Sequence, residues 1–136
     1  MLQLFDGQLE KIRLQKLLFL FVQRQTKADY DFVPYRFGCY SYSANADMTA
    51  MVRKVFLNED EKHFSKKDKT DYLKQLKPDD KTFLQDVKNN YGKMNATALM
   101  KHTYLNYPFY ATKSEVAEKI LNEEELQNVK KSIPQI

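Results

Sequence analysis

The chain has 136 residues, of which 43% are hydrophobic and 29% charged; these are the proportions of one folded domain, and they exclude wholesale disorder. Three Gly and four Pro are too few for a many-turned β-sandwich or barrel, and neither a G-x-G-x-x-G nor a G-x-x-x-x-G-K-S/T loop is present to cradle a nucleotide. Net charge is +4, and the excess is local: residues 61–102 carry ten Lys against six acids, while residues 1–60 stand at +1 and residues 103–136 at −1.

The opening Met1-Leu2-Gln3-Leu4-Phe5-Asp6 lacks the basic segment and small-residue cleavage site of a signal peptide. The longest apolar run, Leu17–Val22, is six residues, far short of the roughly 20 that span a bilayer. A cytoplasmic setting with no membrane contact is therefore expected. Leu9 to about Gln25 reads as a helix. Leu9, Ile12, Lys16 and Phe19 follow one face, and Leu14, Leu17, Leu18, Phe21 and Val22 widen the stripe until the helix is apolar on most sides. Asp29–Ser43 reads as an aromatic loop in which Pro34 bars a helical turn and holds Val33 extended. A second helix is expected from Asn45 or Ala46, with Asn45 as N-cap and Met48, Met51, Val52, Val55 and Phe56 as its apolar stripe. Leu14, Leu17, Leu18, Phe21, Met51, Val52 and Val55 are expected to share one core.

Leu57–Phe64 has apolar ends around a charged tip, the pattern of a β-hairpin or wing, although no Asn-Gly or Asp-Gly turn marks it. Asp71–Leu76 fits one helical turn. Pro78 fits the first position of a helix from about Asp79 to Asn90, with Gly92 just past its end. Asn95 caps a helix bearing Ala98, Leu99, His102 and Leu105. Thr112 and Glu115 have capping-box spacing, with Ser114 as the alternative cap, for a helix over Glu115–Leu121 that buries Val116, Ile120 and Leu121. Glu123–Lys131 places acids first and Lys last, as a helix dipole favours. The expected fold is mainly α: one compact helical domain over 1–136 with a small winged-helix-like β-hairpin, and a tail or linker start at 132–136.

One Cys and two His leave no zinc-ligand spacing and no intrachain disulfide, so no metal site and no cofactor are expected. Cys39, beside Gly38 in an aromatic run, reads as a small packing residue rather than a nucleophile. The carboxylates Asp29/Asp31, Asp79/Asp80 and Glu123–Glu125 sit where helix starts and solvated loops want acids. Nothing marks a cleft that would separate their pKa values for acid–base work, so an enzyme is the least favoured class. The unusual feature is aromatic: six of the eighteen Tyr and Phe residues fall in the thirteen positions from Tyr30 to Tyr42. Such clusters serve protein interfaces or stack on bases. The alternative is that they pack across the core on a second cluster, Tyr104, Tyr107, Phe109 and Tyr110.

Lys11-Ile12-Arg13-Leu14-Gln15-Lys16-Leu17-Leu18-Phe19-Leu20 resembles the opening helix of the SocA-like, or Panacea, phage-associated antitoxin domains. The stretch Tyr30–Ser41, with its Val33-Pro34-Tyr35-Arg36-Phe37-Gly38 core, is similar to the aromatic-Pro-Tyr-x-aromatic-Gly loop of a related group, in which the domain precedes a second domain of unknown function in bacterial proteins. Tyr107–Ala111 with Ser114–Leu121 resembles the closing motif of that group. The resemblance implies a mainly helical fold with a winged-helix-like element, and toxin neutralisation or adaptor work; it brings no catalytic residues.

Two functions follow. The favoured one is a non-enzymatic, antitoxin-like or adaptor-like module that binds a protein partner, a toxin or a second domain, through Tyr30, Phe32, Tyr35, Arg36, Phe37, Tyr40 and Tyr42. The alternative is a winged-helix-like DNA-binding regulatory domain of a larger bacterial or phage protein, touching phosphates through Arg53, Lys54, Lys62, Lys66, Lys67 and Lys69. All ten basic residues of 61–102 are Lys, which speaks against reading of base edges from that stretch. The chain is expected to be one module of something larger.

Overall fold

A helix buried on most sides forms the axis of the molecule. The computed structural model describes residues 1–132; apart from Ser132, which ends the last helix, the tail expected at 132–136 lies outside the described residues. The axial helix is α1 (Lys11–Val22), and eight of its twelve residues are buried. Leu17 and Phe19 have no exposed surface. Packed on it are α3 (Pro78–Tyr91), α4 (Ala96–Asn106) and strand β3 (Gly38–Tyr40). The molecule is mainly α with a small antiparallel sheet.

The helix expected over Leu9–Gln25 is shorter because its first residues are spent elsewhere. Leu9 lies in β1 (Gln8–Glu10), opposite Phe64 of β5 (His63–Lys66). The hairpin expected over Leu57–Phe64 is present as β4 (Leu57–Glu59) and β5, and β1 adds a third strand in the order β1-β5-β4. Leu9, Leu57 and Phe64 are buried on one face of this sheet, as pleat alternation requires. The turn needs no Asn-Gly. Asp60 Oδ1 accepts from the backbone N–H of Lys62 at 2.9 Å and of His63 at 2.7 Å, so a side chain supplies the turn bonds that a glycine conformation would otherwise permit.

The aromatic loop is not all loop. It contains a two-stranded hairpin, β2 (Val33–Tyr35) with β3. Helix α2 (Tyr42–Arg53) then begins earlier than expected, because Ser41 and not Asn45 is the N-cap: Ser41 Oγ accepts from the N–H of Ala44 at 3.1 Å. The expected core is corrected at the other end of α2. Leu14, Leu17 and Phe21 are buried, and Leu18, Met51 and Val52 are half-buried against them. Val55 and Phe56 lie beyond the helix and are 56% and 44% exposed. The chain reverses there through a left-handed Val55, φ 67°, so the i+7 and i+8 positions leave the apolar stripe.

The remaining helices start as their sequences direct. Pro78 occupies the first turn of α3 with Asp79 and Asp80, and Asn95 Oδ1 accepts from Ala98 N at 2.8 Å at the start of α4. At α5 (Ala117–Ile120) Ser114, not Thr112, is the cap, accepting from the N–H groups of Val116 and Ala117. Ala117 and Leu121 are buried there, whereas Val116 and Ile120 are only half-buried. Before α6 (Glu123–Ser132), Asn122 and Glu125 form a reciprocal capping box: Glu125 N donates to Asn122 Oδ1 at 2.8 Å and Asn122 N to Glu125 Oε1 at 3.0 Å. Met100, Tyr104, Ala117, Leu121 and Val129 make a second, smaller core among α4, α5 and α6. Among the described residues, no helix is long and apolar enough to cross a membrane.

Candidate functional site

The aromatic hairpin is locked in place from three sides. Its turn depends on Gly38, φ 94°, where an added Cβ would lie 2.8 Å from Tyr104 Cε1. Tyr104 is itself fully buried and hydrogen-bonded through its hydroxyl to Ser114 Oγ at 2.6 Å. The carbonyl of Arg36, in the turn, accepts from Glu115 N at 2.8 Å. On the α1 side, Lys16 Nζ donates to the Cys39 carbonyl at 2.7 Å. Gln15 brackets Ser41, its Oε1 accepting from Ser41 N at 2.8 Å and its Nε2 donating to Ser41 O at 3.2 Å. Both residues are buried.

These contacts decide how the hairpin can recognise anything. Residues of a non-hydrogen-bonded antiparallel pair point their N–H and C=O groups away from the partner strand. Pro34 has no N–H, and it pairs with Cys39. The outward carbonyl of Cys39 is taken by Lys16, and Ser41 beyond it by Gln15. The outer edge of β2 is short of a donor at Pro34 and runs beside the 3-10 turn Pro108–Ala111. Both edges are thereby closed to an added strand, and what the hairpin offers to solvent is its side chains.

Those side chains divide between interior and surface. Phe32 meets Phe19 edge-on at 5.4 Å, and Tyr107 and Tyr110 meet the same ring at 4.9 and 4.8 Å. The two aromatic clusters of the sequence thus join around Phe19. Tyr30 is half-buried, with its hydroxyl donating to Asp47 Oδ2 at 2.8 Å; burial and that carboxylate push its pKa up. Tyr35, Tyr40 and Tyr42 instead form a surface triad with ring centroids 5.0 to 5.8 Å apart. Tyr42 is 60% exposed and Phe37, at the turn, 41%. Desolvation and the neighbouring tyrosines hold the hydroxyls of Tyr40 and Tyr42 above their ordinary pKa. Arg36 is exposed, 3.9 Å from Glu115, with its guanidinium 5.8 Å from the Tyr35 ring centre. Beside the triad, a cleft of about 190 Å³ opens between α1, the hairpin and the first turns of α2.

The basic residues assemble less well. Arg53, Lys54, Lys62, Lys67 and Lys69 are exposed. Lys66 is not free: its Nζ donates to the Asp68 carbonyl at 2.6 Å, lies 3.5 Å from Asp68 Oδ1, and sits over the Tyr72 ring. The tip between β4 and β5 carries Asp60 and Glu61 beside Lys62, which places acids where a DNA-binding wing would want cations.

Other titratable groups read as structural. Cys39 is fully buried, and burial pushes its thiol up to about 11. Burial likewise lowers the pKa of the Lys16 amine. His102 is half-buried against Tyr91, and His63 leans on Asp60 at 3.2 Å. Among the described residues, no group of three His, Cys, Asp or Glu is placed to hold a metal ion. Sequence reasoning missed Gln15 and Lys16 as the clamp on the hairpin. Their signal was present, a polar pair in the middle of an otherwise buried stripe.

No family model, no curated protein and no solved structure matches the chain.

Proposed function

We propose that the chain is a non-enzymatic interaction module, antitoxin-like or adaptor-like, that binds a protein partner in the cytoplasm through the surface formed by Tyr35, Phe37, Tyr40 and Tyr42, with Arg36 at its rim. One observation carries this reading: three tyrosines pack against one another at the surface in tilted and edge-on contacts, and Tyr42 is left 60% exposed. Large rings with polar tips, held rigid, are the residues that dominate protein interfaces. Phe32 and Tyr30 lie apart from that surface, Phe32 packed inward on Phe19 and Tyr30 tied to Asp47. The test is affinity capture with the wild-type chain and with the Phe37→Ala/Tyr42→Ala double variant, after nuclease treatment. Truncating a central aromatic anchor costs about 2 kcal/mol, roughly thirtyfold in Kd, so a defined protein retained by the wild type is expected to be lost from the variant. Equal retention by both removes the reading.

A second reading, a winged-helix DNA-binding domain, is favoured by connectivity. The order β1, α1, α2, β4, β5 with sheet order β1-β5-β4 follows that of a winged helix, with the β2–β3 hairpin inserted between its helices. Contact would then come from α2 and from Arg53, Lys54, Lys62, Lys67 and Lys69. The acidic tip and the sequestered Lys66 weigh against it. Salt separates the two: phosphate contacts through several cations weaken steeply as salt rises, and an aromatic interface does not.

A further inference from the structure

We propose that the partner anchors itself by inserting one aromatic side chain into the cleft between α1 and the aromatic hairpin. This inference rests on the interaction reading above and names the chemistry of what is bound. The cleft has a volume of about 190 Å³. A buried apolar cavity of about 150 Å³ is large enough to take benzene, so the space suits a single ring rather than a cofactor or a stretch of helix. Ile12, Leu14, Leu18 and Met48 provide aliphatic surface, and Tyr35 and Tyr40 line the same space. A ring inserted there can meet Tyr35 and Tyr40 edge-to-face, as each of them already meets Tyr42.

Charge narrows the occupant further. Two cations line the cleft, and both are already engaged. Lys11 is paired with Glu59, and Lys16 is buried with its Nζ on the Cys39 carbonyl. The other lining residues are uncharged. A carboxylate or phosphate would find no free counter-charge, and a Lys or Arg of the partner would find no carboxylate among the lining residues. A neutral ring loses nothing on entering. Strand addition to the hairpin is closed off by Pro34, Lys16 and Gln15, so a partner meets this part of the molecule through side chains, on the exposed rings or in the cleft beside them. The cleft is continuous with the exposed triad, because Tyr35 and Tyr40 belong to both.

The probes are N-acetyl-phenylalaninamide, N-acetyl-leucinamide and N-acetyl-lysinamide, titrated to millimolar concentration into the intact chain with methyl-labelled Ile and Met. Ile12 lines this cleft and not the neighbouring cavity of about 440 Å³, which shares the wall Leu14, Leu18, Ala44 and Met48 with it and extends to Met51, Phe56 and Tyr72. The expected result is a saturable shift of the Ile12 methyl with the phenylalanine amide, weaker with the leucine amide and absent with the lysine amide. Phe37→Ala, an exposed position at the cleft wall, should weaken that binding about two- to tenfold, the worth of one aromatic pair, while the Met51 methyl stays in place to show that the fold is intact. An unmoved Ile12 methyl, an equal response to the lysine amide, or a response confined to Met51 overturns the proposal. The two claims fail separately. Partner capture that depends on Tyr42, with no ring binding at Ile12, removes the anchor and leaves the interaction module standing. Partner capture indifferent to Tyr42 removes the module itself.

Discussion

Val55 occupies a backbone position that helices usually give to glycine. The N–H of Phe56 donates to the Met51 carbonyl at 3.0 Å and that of Val55 to Val52 at 3.1 Å, the paired bonds of a Schellman ending, with Val55 as the left-handed residue. A β-branched side chain is strained there. Val55→Gly should relieve about 1–2 kcal/mol of that strain and lose about 0.4–1 kcal/mol to the freer unfolded chain. A net rise in stability is expected, read as a higher denaturant midpoint at unchanged slope. Cys39 gives a second residue-scale expectation. Its folded pKa is about 11 against 9.0 when unfolded, so the native state holds its proton longer than the unfolded chain does. The stabilisation is complete below pH 9 and is lost as pH rises through 11, by roughly 2–3 kcal/mol. Cys39→Ala should flatten that part of the alkaline stability profile, measured against wild type by denaturant titration at several pH values.

At the scale of elements, the hairpin is held by its turn. Gly38→Ala would add a Cβ 2.8 Å from a ring that cannot retreat and would force φ 94° on an L-residue. A loss of about 1–3 kcal/mol is expected, measured by thermal or denaturant unfolding, together with weaker partner capture because Tyr35 and Tyr40 flank that turn. The capped helices were legible in advance. Pro78, Asn95 and the acid-first, Lys-last order of 123–131 are local signals that act within one turn, and the structure uses them. The β2–β3 hairpin was not legible, because Arg36-Phe37 carries no Asn-Gly signal at its turn and the outward groups of Cys39 and Ser41 are bonded by Lys16 and Gln15, 23 and 26 residues away in sequence. Nor was the exit of Val55 and Phe56 from the stripe of α2: helical periodicity continues through those positions, and only the left-handed step at Val55 breaks it. Of the aromatic segment, the sequence indicates an unusual concentration of rings, but the division between Phe32 inside and Tyr42 outside depends on which face meets Phe19.

For the molecule as a whole, α1 carries the core, and burial along it predicts the cost of truncation. Leu17→Ala, at a site with no exposed surface, should cost about 2–5 kcal/mol; Leu18→Ala, half-buried beside the cleft, should cost less, and urea titration of the pair ranks them. The polar side chains of the same helix have a different consequence, and it concerns self-association. Tyr30 to Tyr42 is rich in aromatic residues and, freed from its surroundings, would present strands to other copies of itself. Gln15 and Lys16 fill the bonding positions along β3, much as a charged edge residue does in other sheets. Gln15→Ala should therefore do more than loosen one hydrogen-bond pair. It uncovers the N–H of Ser41 at the end of an aromatic strand, the carbonyl being held also by Asn45 N, and the expected sign is concentration-dependent association, seen by light scattering before any loss of helical circular dichroism. In that case the central helix guards the exposed aromatic surface against aggregation.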